Sequence, residues 1–338
     1  MIRIAINGFG RIGRRVFRLL QSYENMQVVA INDLSDAKTL SHLLKYDSIH
    51  GIFDGDVSHS NQTIIANKIS IPLLNKNHPK DIDWTPFEVD YVIESTGKFK
   101  MGLELQHHIN HGAKCVILSV PPIEDDIKTI VLGINDASID GTETIISNAS
   151  CTTNNAAPMI DIINKLCGIN QAYITTVHSY TTDQSLHDQP HRDLRRSRAA
   201  SQSIVPTTTG AAKALTKIFP ELSEVIGGCG IRVPVINGSL TDITFNVKNT
   251  VSIDDINKAF KVASETNYKG ILEYTEDPIV SIDIVGNSHS CIFDSQMTSV
   301  IGNMVKIIGW YDNETGYSTR IIDLLCNLSE KKCLLSIK

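Results

Sequence analysis

Residues 2–13 read IRIAINGFGRIG, which is a short apolar strand followed by the glycine pattern G-x-G-x-x-G. In this pattern Gly8 makes the tight turn, Gly10 lets the backbone approach a pyrophosphate, and Gly13 allows a helix to pack closely on the strand. Apolar residues at helical spacing follow, so the pattern predicts a helix whose N-terminus faces the phosphates. The stretch therefore predicts the first strand–helix unit of a dinucleotide-binding domain.

An acidic residue at the end of the next strand strengthens this prediction. Residues 27–32 form a second apolar run, and Asp33 follows it, 20 residues after Gly13. A carboxylate at this place hydrogen-bonds a ribose diol and repels a 2′-phosphate, which favours NAD over NADP. An ordinary glycine turn between a strand and a helix would leave this acid unexplained.

The rest of the first half alternates short apolar strands with helices, which is typical of a parallel, doubly wound α/β sheet of the Rossmann kind. We expect a helix over residues 102–112. Thr96 and Ser119 follow two of the strands, at the carboxyl ends where ligands bind in such sheets. The domain is expected to span residues 1–149, with further strands at 63–65, 68–71, 91–94, 115–119, 130–132 and 144–146.

The second half has longer strands that alternate apolar and polar residues, as in a sheet with one covered face. We expect a mostly antiparallel α+β domain over residues 150–313, with helices at 211–219 and 253–266. A last helix, from about residue 314 to 338, is expected to pack back on the first domain. The predicted strands include residues 239–247, 280–285, 290–294 and 304–311.

A cysteine between two hydroxyl residues, Ser150-Cys151-Thr152, precedes a run that reads as a helix over residues 155–165. Unpaired N–H groups and the helix dipole stabilise a thiolate at such a place. The apolar run at 172–177 ends at His178, so a strand could bring an imidazole to the thiol as its proton partner. The alternative is a buried, inert cysteine and an unrelated surface histidine.

Residues 181–202 carry several arginines and little apolar periodicity. Such a run is commonly a solvated loop, but guanidinium groups also match phosphate geometry. Residues 206–210, of sequence PTTTG, lie before a predicted helix and offer hydroxyl and N–H groups to a second anion, and Arg232 is a third candidate. Two phosphate pockets near an activated thiol would suit a phosphorylated aldehyde and free phosphate.

The composition excludes several classes of protein. A formal charge of −6 argues against a general nucleic-acid binder. Seven dispersed cysteines without a C-x-x-C pair argue against a disulfide framework and a structural zinc site, so we expect no metal and a reducing compartment. Neither a signal-peptide pattern nor an apolar run of transmembrane length is present, so we expect a cytoplasmic location and no membrane partner.

Taken together, these motifs resemble those of the phosphorylating glyceraldehyde-3-phosphate dehydrogenase family along the whole chain. The motifs that carry the resemblance are NGFGRIGR (7–14), YDSIHG (46–51), SNASCTTN (147–154), TVHSYT (176–181), DLRRSRAA (193–200), PTTTGAAK (206–213) and WYDNE (310–314). The resemblance implies NAD as cofactor, D-glyceraldehyde 3-phosphate and inorganic phosphate as substrates, and a homotetramer. It implies no primary nucleic-acid partner.

The resemblance also implies roles for single residues. Cys151 is the expected nucleophile, which forms a thiohemiacetal and then a thioester, and His178 is the expected base. The expected pocket for the substrate phosphate contains Thr181, Arg196 and Arg232, and that for the attacking phosphate contains Ser150, Thr152, Thr209 and Gly210. The expected cofactor contacts are Gly8, Gly10, Arg11, Ile12, Gly13, Asp33, Thr96, Ser119, Asn313 and Tyr317.

The chain departs from the common family pattern in places. Asn155 stands where a second cysteine is usual, and Thr315 replaces a frequent tryptophan. Three other functions stay open as alternatives: an erythrose-4-phosphate dehydrogenase, a binding protein that acts through its surface, for example on RNA, and a cysteine hydrolase. The intact TTTG at 207–210 favours the glyceraldehyde enzyme over the first, and the dinucleotide motif argues against the last.

Overall fold

In the computed structural model, residues 1–336 are described, with side chains through residue 333. The chain forms two compact units. The first unit contains Met1–Ile130, Asp136–Ala149 and the described residues from Ser318 onward. The second unit contains Val131–Asn135 and Ser150–Tyr317.

The first unit is built on a nine-stranded sheet with the order β10-β11-β9-β8-β1-β2-β7-β6-β5. The pairings from β10 through β7 are parallel, and β5, β6 and β7 pair antiparallel at one edge. This confirms the predicted doubly wound sheet. The strands are β1 Ile2–Asn7, β2 Met26–Asn32, β5 Val57–Ser60, β6 Thr63–Ala66, β7 Ile69–Leu74, β8 Tyr91–Glu94, β9 Cys115–Leu118, β10 Lys128–Thr129 and β11 Ile145–Ser147, with a separate two-stranded pair, β3 Tyr46–Asp47 and β4 Gly51–Ile52.

The central strands of this sheet are apolar because both of their faces are covered. All four residues of β8 and of β9 are buried, as expected for parallel strands flanked by helices. The helices α1 Arg11–Leu20, α2 Ala37–Lys45 and α3 Gly102–Asn110 belong to this unit, as does the last helix of the described chain from Ser318 onward. Their packing leaves the carboxyl ends of the parallel strands as the place for a ligand.

The second unit is built on an eight-stranded sheet in which β13-β14-β12-β15-β19-β17-β16 are neighbours and β18 pairs with β19. Most pairings are antiparallel, as predicted, while β12–β14 and β16–β17 are parallel. The strands are β12 Ile169–Ser179, β13 Val205–Thr207, β14 Ile226–Val233, β15 Ser239–Val247, β16 Leu272–Thr275, β17 Cys291–Asp294, β18 Ser299–Ile301 and β19 Met304–Tyr311, and the helices are α4 Cys151–Cys167, α5 Ala211–Ile218 and α6 Ile253–Glu265.

The last helix, α7, spans Thr315–Ser336. Asp312 caps its start, because its Oδ1 accepts from the backbone N–H groups of Glu314 and Thr315, both at 2.8 Å. Residues 337 and 338, which the predicted helix included, lie outside the described residues. None of the helices within residues 1–336 combines the length and apolar character needed to span a membrane.

Two predicted strands are wrong. Residues 280–285 form successive turns, since Asp283 accepts from the backbone N–H of Val280 at 2.8 Å and its own N–H donates to the Val280 carbonyl. A short acidic side chain thus satisfies backbone groups that a strand would pair with a neighbour. Residues 130–132 also form no strand. The two-residue strand β10, which lies just before them in the chain, occupies the edge of the sheet instead.

Candidate functional site

Cys151 is the first residue of α4, four residues earlier than the predicted helix start. The chain turns sharply before it, because the fully buried Ala149 adopts a left-handed φ of 54°. Ser150 then caps the helix, its Oγ accepting from the Thr153 N–H at 3.1 Å. This local geometry places the thiol among the unpaired N–H groups of the helix N-terminus.

His178 lies near the end of β12 and meets the thiol, with its Nε2 3.5 Å from the Cys151 sulfur. Its other ring nitrogen, Nδ1, is 2.7 Å from the carbonyl oxygen of Ser179, which can only accept. A guanidinium nitrogen of Arg232 donates to the same oxygen at 3.0 Å and lies 2.9 Å from Nδ1 itself, so Nδ1 faces one acceptor and one donor. In the tautomer that donates from Nδ1 to the Ser179 carbonyl, the lone pair on Nε2 faces the thiol, as a base requires.

The electrostatic environment keeps both groups neutral. Burial raises the pKa of the Cys151 thiol, and the charge of Arg232 offsets this only in part. Burial also lowers the pKa of His178 to about 3, helped by the positive charges of Arg232 and Arg196. The pair is thus a thiol and a neutral imidazole, in contrast to the thiolate that the helix N-terminus predicts, because desolvation outweighs the dipole.

Two guanidinium groups give this region its positive charge. Arg232 pairs in register with His178 across β14 and β12, and burial together with the charge of Arg196 lowers its pKa. Arg196 binds the Asp183 carboxylate and the Thr207 hydroxyl, the latter at 3.0 Å. A second carboxylate, Asp193, lies 3.7 Å from Arg196 Nε, and both Asp183 and Asp193 are partly exposed. Such a pocket favours an anion.

Behind the helix start, three buried hydroxyl groups form one chain. The Tyr311 hydroxyl lies 2.9 Å from that of Thr152 and 3.0 Å from that of Thr176. Its ring also meets His178 edge to face, with ring centroids 5.9 Å apart. The network fixes α4 against β12 and β19, and it turns the Thr152 side chain toward Tyr311.

The remaining predicted residues of this unit lie at other points. Thr209 and Gly210 begin α5, where the Thr209 hydroxyl accepts from the Ala211 N–H at 3.2 Å. A side chain built at Gly210 would meet no atom within 4 Å, so this helix start is open. Thr181 follows β12, and its carbonyl accepts from the N–H of Gln184 at 2.9 Å. Thus the structure joins Cys151, His178 and Arg232 directly and places the charge of Arg196 nearby, while Thr181, Thr209 and Gly210 lie on other segments of the unit.

Asn313 and Tyr317, both predicted cofactor contacts, also belong to the second unit. The Oδ1 of Asn313 accepts from the hydroxyls of Ser179 and Ser239, each at 2.9 Å. Tyr317 is a buried residue in the first turn of α7. Asn155 stands where the family usually has a second cysteine. Its side-chain amide donates to the Trp310 carbonyl at 3.2 Å, which links α4 to β19.

The first unit carries a cavity of about 210 Å³ at the carboxyl ends of its parallel strands. Its lining includes Gly8, Gly10, Asp33 and Thr96. A Cβ on Gly8, whose φ is +94°, would lie 2.6 Å from the Thr96 backbone nitrogen, whereas a Cβ on Gly10 would meet nothing within 4 Å. The same test puts a Cβ on Gly13 2.3 Å from the Gly8 carbonyl oxygen. These glycines therefore fit a dinucleotide, one open to the pyrophosphate and two closing the turn.

The other predicted cofactor residues surround or adjoin this cavity. Asp33 accepts from the Phe9 N–H at 2.8 Å, which holds its carboxylate beside the glycine turn. Arg11 and Ile12 are the first residues of α1, and the Arg11 guanidinium is held by Asp47 at 2.7 and 3.0 Å. Hence the backbone N–H groups of the helix start, rather than this guanidinium, are suited to phosphate. Ser119 follows β9, and its N–H donates to the Glu94 carbonyl at 3.0 Å.

Sequence reasoning missed several residues that build these sites. Tyr311 lies inside the WYDNE motif and Asp183 inside the arginine-rich run at 181–202, but nothing in the pattern shows that Asp183 binds Arg196 or that Tyr311 bonds Thr152. Asn7, Asn32 and Glu94 end three parallel strands of the first unit. Polar residues at the carboxyl ends of apolar strands were the available signal for them.

A doubly wound dinucleotide-binding unit and a second unit with a cysteine–histidine pair define the class of NAD-linked oxidoreductases with a cysteine nucleophile. Residues 2–102 match the glyceraldehyde 3-phosphate dehydrogenase NAD binding domain, and residues 150–313 match the C-terminal domain of the same family. The chain belongs to the glyceraldehyde-3-phosphate dehydrogenase family, and its cofactor is NAD.

Curated relatives agree over nearly the whole chain. Glyceraldehyde-3-phosphate dehydrogenase 2 of Streptomyces avermitilis is 50% identical over 326 residues, covering 96% of this chain and 97% of the relative. Glyceraldehyde-3-phosphate dehydrogenase of Mycobacterium avium is 49% identical over 331 residues, with the same coverage. Glyceraldehyde-3-phosphate dehydrogenase 1 of Bacillus cereus is 45% identical over 333 residues, covering 98% of this chain and 99% of the relative.

Proposed function

We propose that this protein oxidises D-glyceraldehyde 3-phosphate with NAD and inorganic phosphate to 1,3-bisphosphoglycerate, as a phosphorylating glyceraldehyde-3-phosphate dehydrogenase. The observation that carries the proposal is the Cys151 thiol at the start of α4, 3.5 Å from Nε2 of His178. Arg232 and Arg196 supply positive charge beside this pair, which suits a substrate that carries a phosphate.

In the proposed reaction, His178 removes the thiol proton as the sulfur of Cys151 adds to the aldehyde carbon, giving a thiohemiacetal. The neutral imidazole is suited to this step because its Nε2 can accept. Oxidation to the thioester then releases the hydroxyl proton of the thiohemiacetal to His178 and a hydride from its carbon, for which bound NAD would supply the acceptor. Inorganic phosphate then attacks the thioester carbonyl, a C–O bond replaces the C–S bond, and the acyl phosphate leaves Cys151 as a thiolate.

The two phosphates are assigned to different residues. Arg232, Arg196 and Thr181 bind the phosphate of the substrate. The attacking phosphate is bound near two helix starts, whose N–H groups and hydroxyls suit an anion. Its proposed ligands are Ser150, Thr152, Thr209 and Gly210. The Thr152 hydroxyl bonds Tyr311 in this structure, so it would act through rotation or through its backbone N–H.

The cofactor contacts are proposed on the first unit and the end of the second. The glycine turn and the start of α1 take the pyrophosphate, and Asp33 takes the adenosine ribose. The proposed contacts are Gly8, Gly10, Arg11, Ile12, Gly13, Asp33, Thr96, Ser119, Asn313 and Tyr317. We further propose an NAD-binding domain over residues 1–149, a catalytic domain over 150–313, a homotetrameric assembly and a cytoplasmic location.

The test is NAD reduction by the purified protein with D-glyceraldehyde 3-phosphate, measured with and without inorganic phosphate, and with arsenate in its place. We expect reduction that continues only when phosphate or arsenate is present, since either one releases the acyl group from the thioester. Erythrose 4-phosphate serves as the competing substrate. A higher kcat/KM with that aldehyde, or sustained turnover without an attacking anion, would contradict the proposal.

A further inference from the structure

A chain of buried hydrogen bonds runs beneath the cofactor cavity of the first unit. Its members are Trp84, His108, Glu94, Asn7 and Asn32, each at most 4% exposed. Asn7, Asn32 and Glu94 end the parallel strands β1, β2 and β8. The chain therefore joins the strand ends that form the floor of the cavity, and none of these five residues carries a role in the proposed reaction.

One end of the chain starts at backbone groups, which fixes the direction of each hydrogen bond. The Lys76 N–H donates to Asn32 Oδ1 at 2.9 Å, and Asn32 Nδ2 donates to the Lys76 carbonyl at 3.0 Å. With its amide set in this way, Asn32 Nδ2 also donates to Asn7 Oδ1 at 2.7 Å. The Nδ2 of Asn7 is then left to donate to Glu94 Oε2, at 2.5 Å.

The other end starts at an indole, which is also a donor only. Trp84 Nε1 donates to His108 Nδ1 at 3.0 Å, so the proton of a neutral His108 ring lies on Nε2. That nitrogen is 3.2 Å from Glu94 Oε2 and donates to it. On the cavity side, Glu94 Oε1 accepts from the Thr96 N–H at 3.0 Å and from the Thr96 hydroxyl at 2.5 Å.

Every group that faces Glu94 is consequently a donor. An ionised carboxylate, which only accepts, matches four donors at two oxygens. An amide of the same shape would present an NH₂ group to at least one of them and leave that donor unpaired in a buried place. The carboxylate thus holds Asn7 and Thr96 in fixed orientations, and both of these residues line the cofactor cavity.

We propose that Glu94 is a positioning residue that sets the affinity of this protein for NAD. It does not touch the cavity itself; it acts through Thr96 and Asn7 on one side and receives support from His108 on the other. The proposal rests on the cofactor site proposed above and is independent of the aldehyde that the enzyme oxidises.

The test is Glu94→Gln, an isosteric change that exchanges one acceptor for a donor. NAD binding to the full-length protein is measured by titration calorimetry without aldehyde, and KM for NAD and kcat are measured with it. We expect the Kd and the KM for NAD to rise about tenfold, while kcat at saturating NAD stays within about twofold. A purely structural role would lower the thermal midpoint without this split.

Two further variants make the result decisive. Glu143→Gln removes another buried carboxylate of the same unit, one bound by Lys128 at 2.6 Å and outside the cavity lining, and it should leave NAD affinity unchanged. His108→Gln changes a residue that does not line the cavity, so a roughly threefold loss of NAD affinity would have to pass through Glu94.

Wild-type NAD affinity in a folded Glu94→Gln protein would overturn the proposal. If that variant does not fold, wild-type affinity in His108→Gln would do so. Because binding is measured without aldehyde, either result is separate from a failure of the proposed dehydrogenase reaction.

Discussion

The cofactor pocket of the first unit and the cysteine pocket of the second unit differ in how their buried polar groups are balanced. Beneath the cofactor pocket, donors and acceptors match in a continuous chain that runs from the backbone groups of Lys76 to the indole of Trp84. In the cysteine pocket, Arg232 and Arg196 lie near a neutral His178, and the carboxylates of Asp183 and Asp193 both pair with Arg196. The first region is complete as it stands, whereas in the second both carboxylates pair with Arg196 and the buried charge of Arg232 faces the neutral ring of His178.

This difference separates two ways of building a binding site. The side chains of a hydrogen-bonded cavity floor are already ordered in the free protein. The free-energy cost of ordering them when a cofactor binds is therefore small. A pocket with uncompensated charge costs stability in the free protein, and an anionic ligand recovers that cost on binding. We therefore expect changes in the cysteine pocket to alter chemistry and substrate affinity while leaving NAD affinity nearly constant.

The largest expected effect comes from Cys151→Ser. Because a serine hydroxyl has no base strong enough beside it, kcat should fall about ten-thousand-fold or more. The NAD dissociation constant should stay within about twofold of the wild type, since the first unit is unchanged. NADH formation and titration calorimetry on the same sample measure both, and a large loss of NAD affinity would break the contrast between the two regions.

Removing a charge from the cysteine pocket should come next. For Arg232→Ala we expect the KM for the phosphorylated aldehyde to rise about a hundredfold, the scale of a buried charge-assisted contact. The thermal midpoint should not fall, because the variant relieves repulsion with Arg196. Lys258→Ala, which removes an exposed charge from α6, is the control and should change neither quantity. A clear drop in thermal midpoint would show that the charge is balanced after all.

The pH dependence of stability tests the neutral histidine. The pKa of His178 is lowered to about 3 from a usual value of 6.5, so the unfolded chain binds a proton more readily than the folded one. Stability should therefore fall as pH decreases from about 6.5 toward 3. At pH 5 this one group should cost about 2 kcal/mol relative to pH 7. Denaturant unfolding of wild type and His178→Asn at both pH values gives the comparison, and an equal loss in both proteins would refute it.

The smallest effect is expected for Tyr311→Phe. The change leaves the hydroxyls of Thr152 and Thr176 without their shared partner, at a cost of about 1–2 kcal/mol in stability. The thermal midpoint checks this directly. A recovery of stability on adding Thr152→Val would show that the loss comes from the Thr152 hydroxyl, since the Thr176 hydroxyl keeps the Leu240 carbonyl as a partner at 3.4 Å.

Much of the fold was predictable because its strands are apolar and its turns carry glycine. The bounds of β15 and β19 agree with the predicted runs at 239–247 and 304–311. The failure at 280–285 has a local cause, since the pattern of apolar residues there resembles a strand but the Asp283 side chain takes over the backbone pairing. The spacing of apolar residues alone does not show that a side chain will compete with a neighbouring strand for the backbone hydrogen bonds.

The candidate site was predictable as a set of residues and less so as a set of charges. The sequence predicted Cys151, His178 and Arg232 for one site. In the structure His178 contacts both of the others. The neutral state of the thiol and imidazole could not be read from the sequence, because it depends on burial by residues far apart in the chain. The Glu94 chain was hidden for the same reason, as its partners are separated by up to 87 positions.

The left-handed turn at Ala149 also limits which amino acids can replace alanine at this position by a single base change. A single base change in an alanine codon leads to glycine, serine, threonine, proline, valine, aspartate or glutamate. Of these, glycine alone adopts a positive φ freely, while the others add bulk, a branched carbon, a closed ring or a charge at a fully enclosed position. Among the substitutions of Ala149 that one base change can produce, we therefore expect only glycine to be tolerated. Mutational scanning should find position 149 nearly as intolerant of substitution as Cys151.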